Sequence, residues 1–233
     1  MRYFTVVGSR LTPEPQAKIL RDFSERLLRA GWTGRSGLSG EADLALNRAL
    51  DRYDGLAELY IPWDFFNGYS HGDLAGRVIY PKRLDNSAQA TAVMTTLHPV
   101  WTWLSPGAKS LHARNVYQVL GKDLASPSDV LFCWAPVKGG YVQGGTATAY
   151  NLAVQSGVPV FNIAVPGQLK LLDAWIETAV ADKTDIDVAF IHTVTTNPYT
   201  VDEIKHYIPP VPYAELYDKP VHVPLRIVDV QSK

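Results

Sequence analysis

One cysteine, Cys133, stands in 233 residues, and a single thiol can close neither an intrachain disulfide nor a zinc cluster. It lies in the apolar run Val130–Ala135, which predicts a buried, inert side chain. Net charge is as scarce, with a formal balance of −1. No global basic field therefore invites duplex nucleic acid or an anionic membrane. No run approaches the roughly 20 apolar residues of a membrane span, and strand-like Tyr3–Val7 begins without the cationic-then-apolar pattern of a secretory signal. The expectation is a cytoplasmic protein with no membrane partner. The turn after Tyr3–Val7 lacks G-x-G-x-x-G, and no Gly-Lys-Ser/Thr ending is present, which disfavours a standard NAD oxidoreductase or a P-loop ATPase. Ser36 and Ser39 have no nucleophile elbow around them. His71, His98 and His112 are too scattered along the chain to predict a metal site. No cofactor is expected.

What is present is an ordinary globular composition, 46% hydrophobic and 19% charged, enough for a substantial core. Tyr3–Val7 is β-branched and aromatic and stops at Gly8-Ser9-Arg10. Ile19, Phe23, Leu27 and Leu28 then recur at helical spacing up to Gly31. Trp32–Ser36 reads as a second strand, Glu41 to about Tyr53 as a helix, and Leu56–Ile61 as a third strand. This βαβαβ order opens a doubly wound sheet. Residues 62–106 interrupt it as an insertion, irregular and aromatic-rich to Asp85 and then helical from Ser87 to Leu97. A helix over Leu111–Leu120, a strand over Asp129–Ala135, a helix over Thr146–Ser156, a strand over Val158–Ile163 and a helix from Gly167 to about Asp182 resume the pattern. The predicted fold is α/β: a Rossmann-like, mostly parallel sheet of about five or more strands with helices on both faces, over residues 1–182. Residues 183–233, rich in proline and tyrosine, read as a C-terminal extension, an arm packing on the domain or a partner subunit, with strands over Val188–His192 and Leu225–Val230.

Glycine clusters follow the first, second and fourth strands: Gly8-Ser9-Arg10, Gly37-Leu-Ser-Gly40 and Gly144-Gly145-Thr146. In a doubly wound sheet such loops share one edge, and ligands sit where the winding reverses. Glycine lets backbone N–H groups approach an anion, and the following helix turns its positive end toward it. Tight turns also use glycine for purely steric reasons. Arg10 and Arg35 are placed to clamp a phosphate or to make surface salt bridges. Trp63, Phe65, Phe66 and Tyr69 suit either base stacking or core covering.

Gly8-Ser9-Arg10, Arg35-Ser36-Gly37 with Gly40-Glu41-Ala42-Asp43, Arg114-Asn115, and Asp129 before a strand leading to Gly144-Gly145-Thr146-Ala147 together resemble the SLOG superfamily. That group includes the DNA-processing protein DprA and the LOG phosphoribohydrolases. The resemblance covers roughly residues 3–163. It implies a Rossmann-like domain, often a homo-oligomer, binding a nucleotide or nucleotide-derived small molecule through Gly8, Ser9, Arg10, Arg35, Ser36, Gly37, Gly40, Asn115, Gly144, Gly145 and Thr146. LOG enzymes carry a catalytic glutamate after their Gly-Thr pair and an arginine on a preceding helix. Arg114 matches the arginine, but Ala149 stands at the glutamate position.

Glycosidic cleavage passes through an oxocarbenium-like state that needs a nearby carboxylate. The leading expectation is therefore a non-catalytic binder that senses or sequesters its ligand. The alternative is an N-glycoside hydrolase acting through Glu41 or Asp43 with Arg114, although both acids also suit helix N-terminal capping. Asp43 could instead bind a ribose hydroxyl. A DprA-like single-stranded DNA binder is a third reading, disfavoured by the near-neutral charge.

Overall fold

The structure is a computed structural model, and it describes residues 1–98 and 100–181. The predicted arm and its two strands lie outside these residues. The strands are β1 (Tyr3–Gly8), β2 (Thr33–Ser36), β3 (Ala57–Tyr60), β4 (Val78–Ile79), β5 (Val130–Trp134), β6 (Val137–Lys138), β7 (Tyr141–Val142) and β8 (Val160–Asn162). The helices are α1 (Glu14–Arg29), α2 (Glu41–Leu50), the single turn α3 (Asp73–Gly76), α4 (Ser87–Leu97), α5 (Pro106–Leu120), α6 (Thr146–Gln155) and α7 (Gln168–Ala181). Six strands form one parallel sheet in the order β4-β3-β2-β1-β5-β8, and β6 and β7 make a separate antiparallel hairpin.

Strand alternation builds two cores. Phe4 and Val6 of β1, Val130 and Phe132 of β5, Leu59 of β3 and Phe161 of β8 point to one face. There Leu20, Phe23 and Leu27 of α1, the alanines and Leu46 of α2, and Leu172, Trp175 and Ile176 of α7 cover them. Val7, Leu131, Cys133, Tyr60 and Ile79 point to the other face, against Ala90 and Met94 of α4, Val116, Tyr117 and Val119 of α5, and Ala149, Leu152 and Ala153 of α6. Both faces are dry, which is why these strands read as nearly continuous apolar runs. Cys133 is fully buried, and desolvation pushes its thiol far above the ordinary range, so it is inert in the folded chain.

Local signals set the helix ends that matter for the site. Helix α5 starts at Pro106, five residues before the predicted Leu111. Ser105 Oγ accepts the Ala108 N–H at 3.3 Å, a capping serine followed by proline in the first turn. It stops at Gly121, whose φ of 78° is left-handed. Helix α2 ends at Leu50, short of the predicted Tyr53. The insertion also supplies an unpredicted sixth sheet strand, the two-residue β4, too short for alternation to reveal.

Candidate functional site

The strand order reverses between β1 and β5, and a cleft of about 370 Å³ opens at their C-terminal ends, where a doubly wound sheet places its ligands. The structure brings Gly8, Ser9, Arg10, Asp43, Arg114, Asn115, Gly144, Gly145 and Thr146 to its walls, joined by His112, Gln118 and Ala149. Arg35, Ser36, Gly37, Gly40 and Glu41 do not line it.

The wall made by the turn into α6 is the most open. Gly144 has φ 73°, and a Cβ built on either Gly144 or Gly145 would meet nothing within 4 Å among the described residues. Among the described residues no side chain caps α6, and no acidic residue stands in its first turn. Its positive end is therefore uncompensated. Asn115 braces the turn from α5, donating from Nδ2 to Gly145 O at 3.1 Å and to Thr148 Oγ1 at 2.8 Å. Thr148 Oγ1 in turn donates to Gly145 O at 2.9 Å and lies 3.1 Å from His112 Nδ1.

The floor is a buried ion pair. Asp43 Oδ2 accepts from Arg114 Nη2 at 3.2 Å and Nη1 at 3.3 Å, with side chains only 4% and 7% exposed. Asp43 also accepts the Ser39 N–H at 3.2 Å and interacts with the Gly8 N–H. Burial pushes its carboxyl above the usual range, while Arg114 and these N–H groups pull the other way. The same burial lowers the Arg114 value, yet a guanidinium remains charged in proteins. The donors and acceptors around Gln118 orient its amide: the oxygen accepts from Gly37 N–H at 2.9 Å and Arg114 Nη1 at 2.5 Å, and the nitrogen donates to Asn115 Oδ1 at 2.9 Å. Asn115 and Arg114 are thus locked into one network.

The second glycine loop serves this network sterically. A Cβ on Gly37 would fall 1.1 Å from Arg114 Nη1. Gly40 lets the Arg10 backbone pass, since a Cβ there would sit 3.2 Å from Arg10 Cα. At Gly8 a Cβ would strike Ala42 Cβ at 2.4 Å. Leu38 between Gly37 and Gly40 is fully buried in a left-handed conformation, φ 56°, and Asn67 of the insertion donates to its carbonyl at 2.7 Å.

Arg35 departs from both sequence-based expectations. It is 1% exposed and points to the α5 side of the sheet. There it donates to Glu58 Oε2 at 2.8 Å and Ser126 O at 2.6 Å and stacks on Tyr3. The cause is register: Arg35 pairs with Thr5 and Glu58 inside the sheet, so its side chain shares their buried face rather than the turn beyond the strand. Gly121 makes room for it, because a Cβ there would sit 2.4 Å from Nη2. Ser36 is also internal, donating to Val6 O at 2.7 Å. Glu41 turns outward to Arg48 at 2.7 Å. Asp129 sits at the opposite sheet end, accepting the Tyr3 N–H at 2.7 Å. Of the insertion aromatics, Phe66 is buried against Trp63 and Phe65 is 79% exposed. None of Trp63, Phe65, Phe66 and Tyr69 lines the cleft.

The sequence reading missed a histidine pair. His98 and His112, 14 positions apart, bring their rings to 4.4 Å between centroids, because α4 packs against α5. No group of three or more metal-ligating side chains occurs among the described residues. Desolvation, then the neighbouring His98 and Arg114, lower His112 to about 4. The folded-state value lies below the ordinary 6.5, so the unfolded chain takes up the proton first. The stability contributed by neutral His112 is full above pH 6.5 and is lost as pH falls toward 4. Chemical denaturation at a series of pH values should show this loss, and His112→Asn should flatten it. An unchanged slope in the variant would refute the assignment.

No protein-family model, curated protein or solved structure matches the chain. No helix among the described residues is long and apolar enough to cross a membrane.

Proposed function

We propose that the cleft binds a nucleotide or nucleotide-derived ligand and holds it without cutting it, its phosphate seated at the N-terminus of α6. The observation that carries this reading is the unobstructed Gly144-Gly145 backbone beside an uncompensated helix start, at the point where the winding reverses. Arg10 adds a cation on the facing turn. Leu111, Ala108 and uncharged His112 give the same cleft a less polar wall suited to a sugar or base.

Retention rather than hydrolysis follows from the acids. Ala149 occupies the wall with a methyl group, and Glu41 faces Arg48 outside the cleft. Asp43, the one carboxylate lining the cleft among the described residues, already accepts from Arg114 and from backbone N–H groups. A carboxylate so engaged is a poor base for activating water.

Isothermal titration with nucleoside monophosphates and their unphosphorylated nucleosides tests the reading. The monophosphates should bind measurably tighter. Gly145→Asp, which puts a negative charge against the helix start, should weaken them by about tenfold or more, the scale of a lost charge-assisted contact. Equal or absent binding of both ligand sets would reject phosphate recognition. Sustained release of free base, abolished by Asp43→Asn, would replace the binder with a hydrolase.

A further inference from the structure

Helix α5 separates two cavities. At about 100° per residue, Ala108, Leu111, His112 and Asn115 face the cleft described above, whereas Lys109, Ser110, Ala113 and Tyr117 face the other way. On that flank a second cavity of about 180 Å³ lies beyond the end of β3, closed by the insertion through Lys82, Thr91 and Trp101. Arg114 is on the seam and lines both. Its residue is 6% exposed, and its Nε makes no hydrogen bond among the described residues. Such a donor costs free energy unless a partner meets it.

Among the described residues no acidic side chain lines the second cavity. Neither Lys82 nor Lys109 has a carboxylate within ion-pair distance among the described residues. Lys109 Nζ lies 6.0 Å from the centroid of the Trp101 ring, which forms a largely buried wall. Lys82 and Lys109, the Arg114 guanidinium already paired with Asp43, hydroxyls from Ser110 and Thr91, and otherwise largely apolar walls make a small cavity with an excess of positive charge. Its volume suits a phosphoryl group with a small substituent rather than a whole nucleotide.

We propose that this second cavity binds the phosphoryl group of a small phosphomonoester, with Lys82, Lys109 and Arg114 as its cationic partners and Trp101 as its wall. A dianion matches this excess of positive charge better than a monoanionic carboxylate does. Because Arg114 belongs to both cavities, an occupant here also acts on the floor of the first cleft. The second site nevertheless does not require the nucleotide reading to hold.

Amide and indole NMR shifts during titration with inorganic phosphate, and separately with acetate, test it on the full chain. The Trp101 indole, assigned by its loss in Trp101→Phe, reports the second cavity, and the Gly144 and Gly145 amides report the first. Phosphate should shift the Trp101 signal saturably where acetate does not. Lys82→Ala with Lys109→Ala should weaken that response by about tenfold or more while leaving the glycine response in place. The single variant Lys82→Gln gives the same test if the double variant loses stability. A Trp101 signal that ignores phosphate, responds equally to acetate, or responds equally in the lysine variants overturns the second site. Silent glycine amides beside a responding Trp101 reject the first-cleft reading and leave the second site standing.

Discussion

Asp43→Ala is expected to destabilise the fold by about 3–5 kcal/mol, the cost of leaving one member of a buried ion pair without the other. The Arg114 guanidinium would remain almost wholly enclosed, held among the described residues by Gln118 alone once the carboxylate is gone. The Ser39 N–H would lose its acceptor in the same step. Since domains are stable by only about 5–15 kcal/mol in total, this is a large fraction of what holds the chain folded. Chemical denaturation at pH 7 measures it directly. A second variant separates pairing from packing. Burial pushes Asp43 toward its neutral form even in the presence of Arg114, so desolvation opposes much of the attraction. Asp43→Leu combined with Arg114→Met should therefore recover most of the loss, as apolar replacements of buried pairs commonly do. A single variant within about 0.5 kcal/mol of the parent, the range of an ordinary surface change, would show that water reaches the pair.

Gly37→Ala should be comparably damaging, although it adds a single methyl group. The new carbon would fall 1.1 Å from Arg114 Nη1 and 2.5 Å from the Gln118 side-chain amide, so the guanidinium would have to leave and Asp43 would be stranded. We expect a loss of about 3–5 kcal/mol, set by the broken pair rather than by the methyl group. Gly37 has no positive φ, so backbone strain does not enter. The clash alone is at work, which a double variant can show. Gly37→Ala with Arg114→Ala should be more stable than the sum of the two single losses by about 0.5–3 kcal/mol, the range for residues in direct contact. Strict additivity would contradict the geometry.

The glycine of the second loop shows how far sequence carries and where it stops. Gly8, Gly37 and Gly145 look alike as punctuation after a strand, and all three suggest backbone approaching an anion. In the structure Gly145 opens onto the cleft, Gly8 admits Ala42 of α2, and Gly37 admits an arginine from a helix 77 positions away. The identity of the residue entering the space left by a missing Cβ is not encoded locally. Arg35 and Arg10 illustrate the same limit. Both are arginines near the end of a strand, but one lies inside the sheet register and is buried against Glu58, and the other lies beyond it and reaches the cleft. A shift of one residue exchanges the faces of a strand, so a strand end placed only approximately cannot choose between them. His98 and His112 became neighbours through the packing of α4 on α5, a contact between two helices that periodicity describes only one at a time.

By itself the sequence determined the architecture of this protein: apolar strand runs alternating with amphipathic helices dictate a doubly wound parallel sheet, and the glycine turns mark the edge where its loops gather. These are short-range properties, set by periodicity and by backbone freedom at single positions. Only the tertiary structure decided what each loop contributes at that edge. It bound Asp43 to Arg114, turned Glu41 and Arg35 away, left the α6 turn open, and set a second cavity with two lysines in its wall across α5. The reason is that burial and pairing of charge depend on which distant segments arrive at the same place, and desolvation then fixes the chemistry of the groups enclosed there.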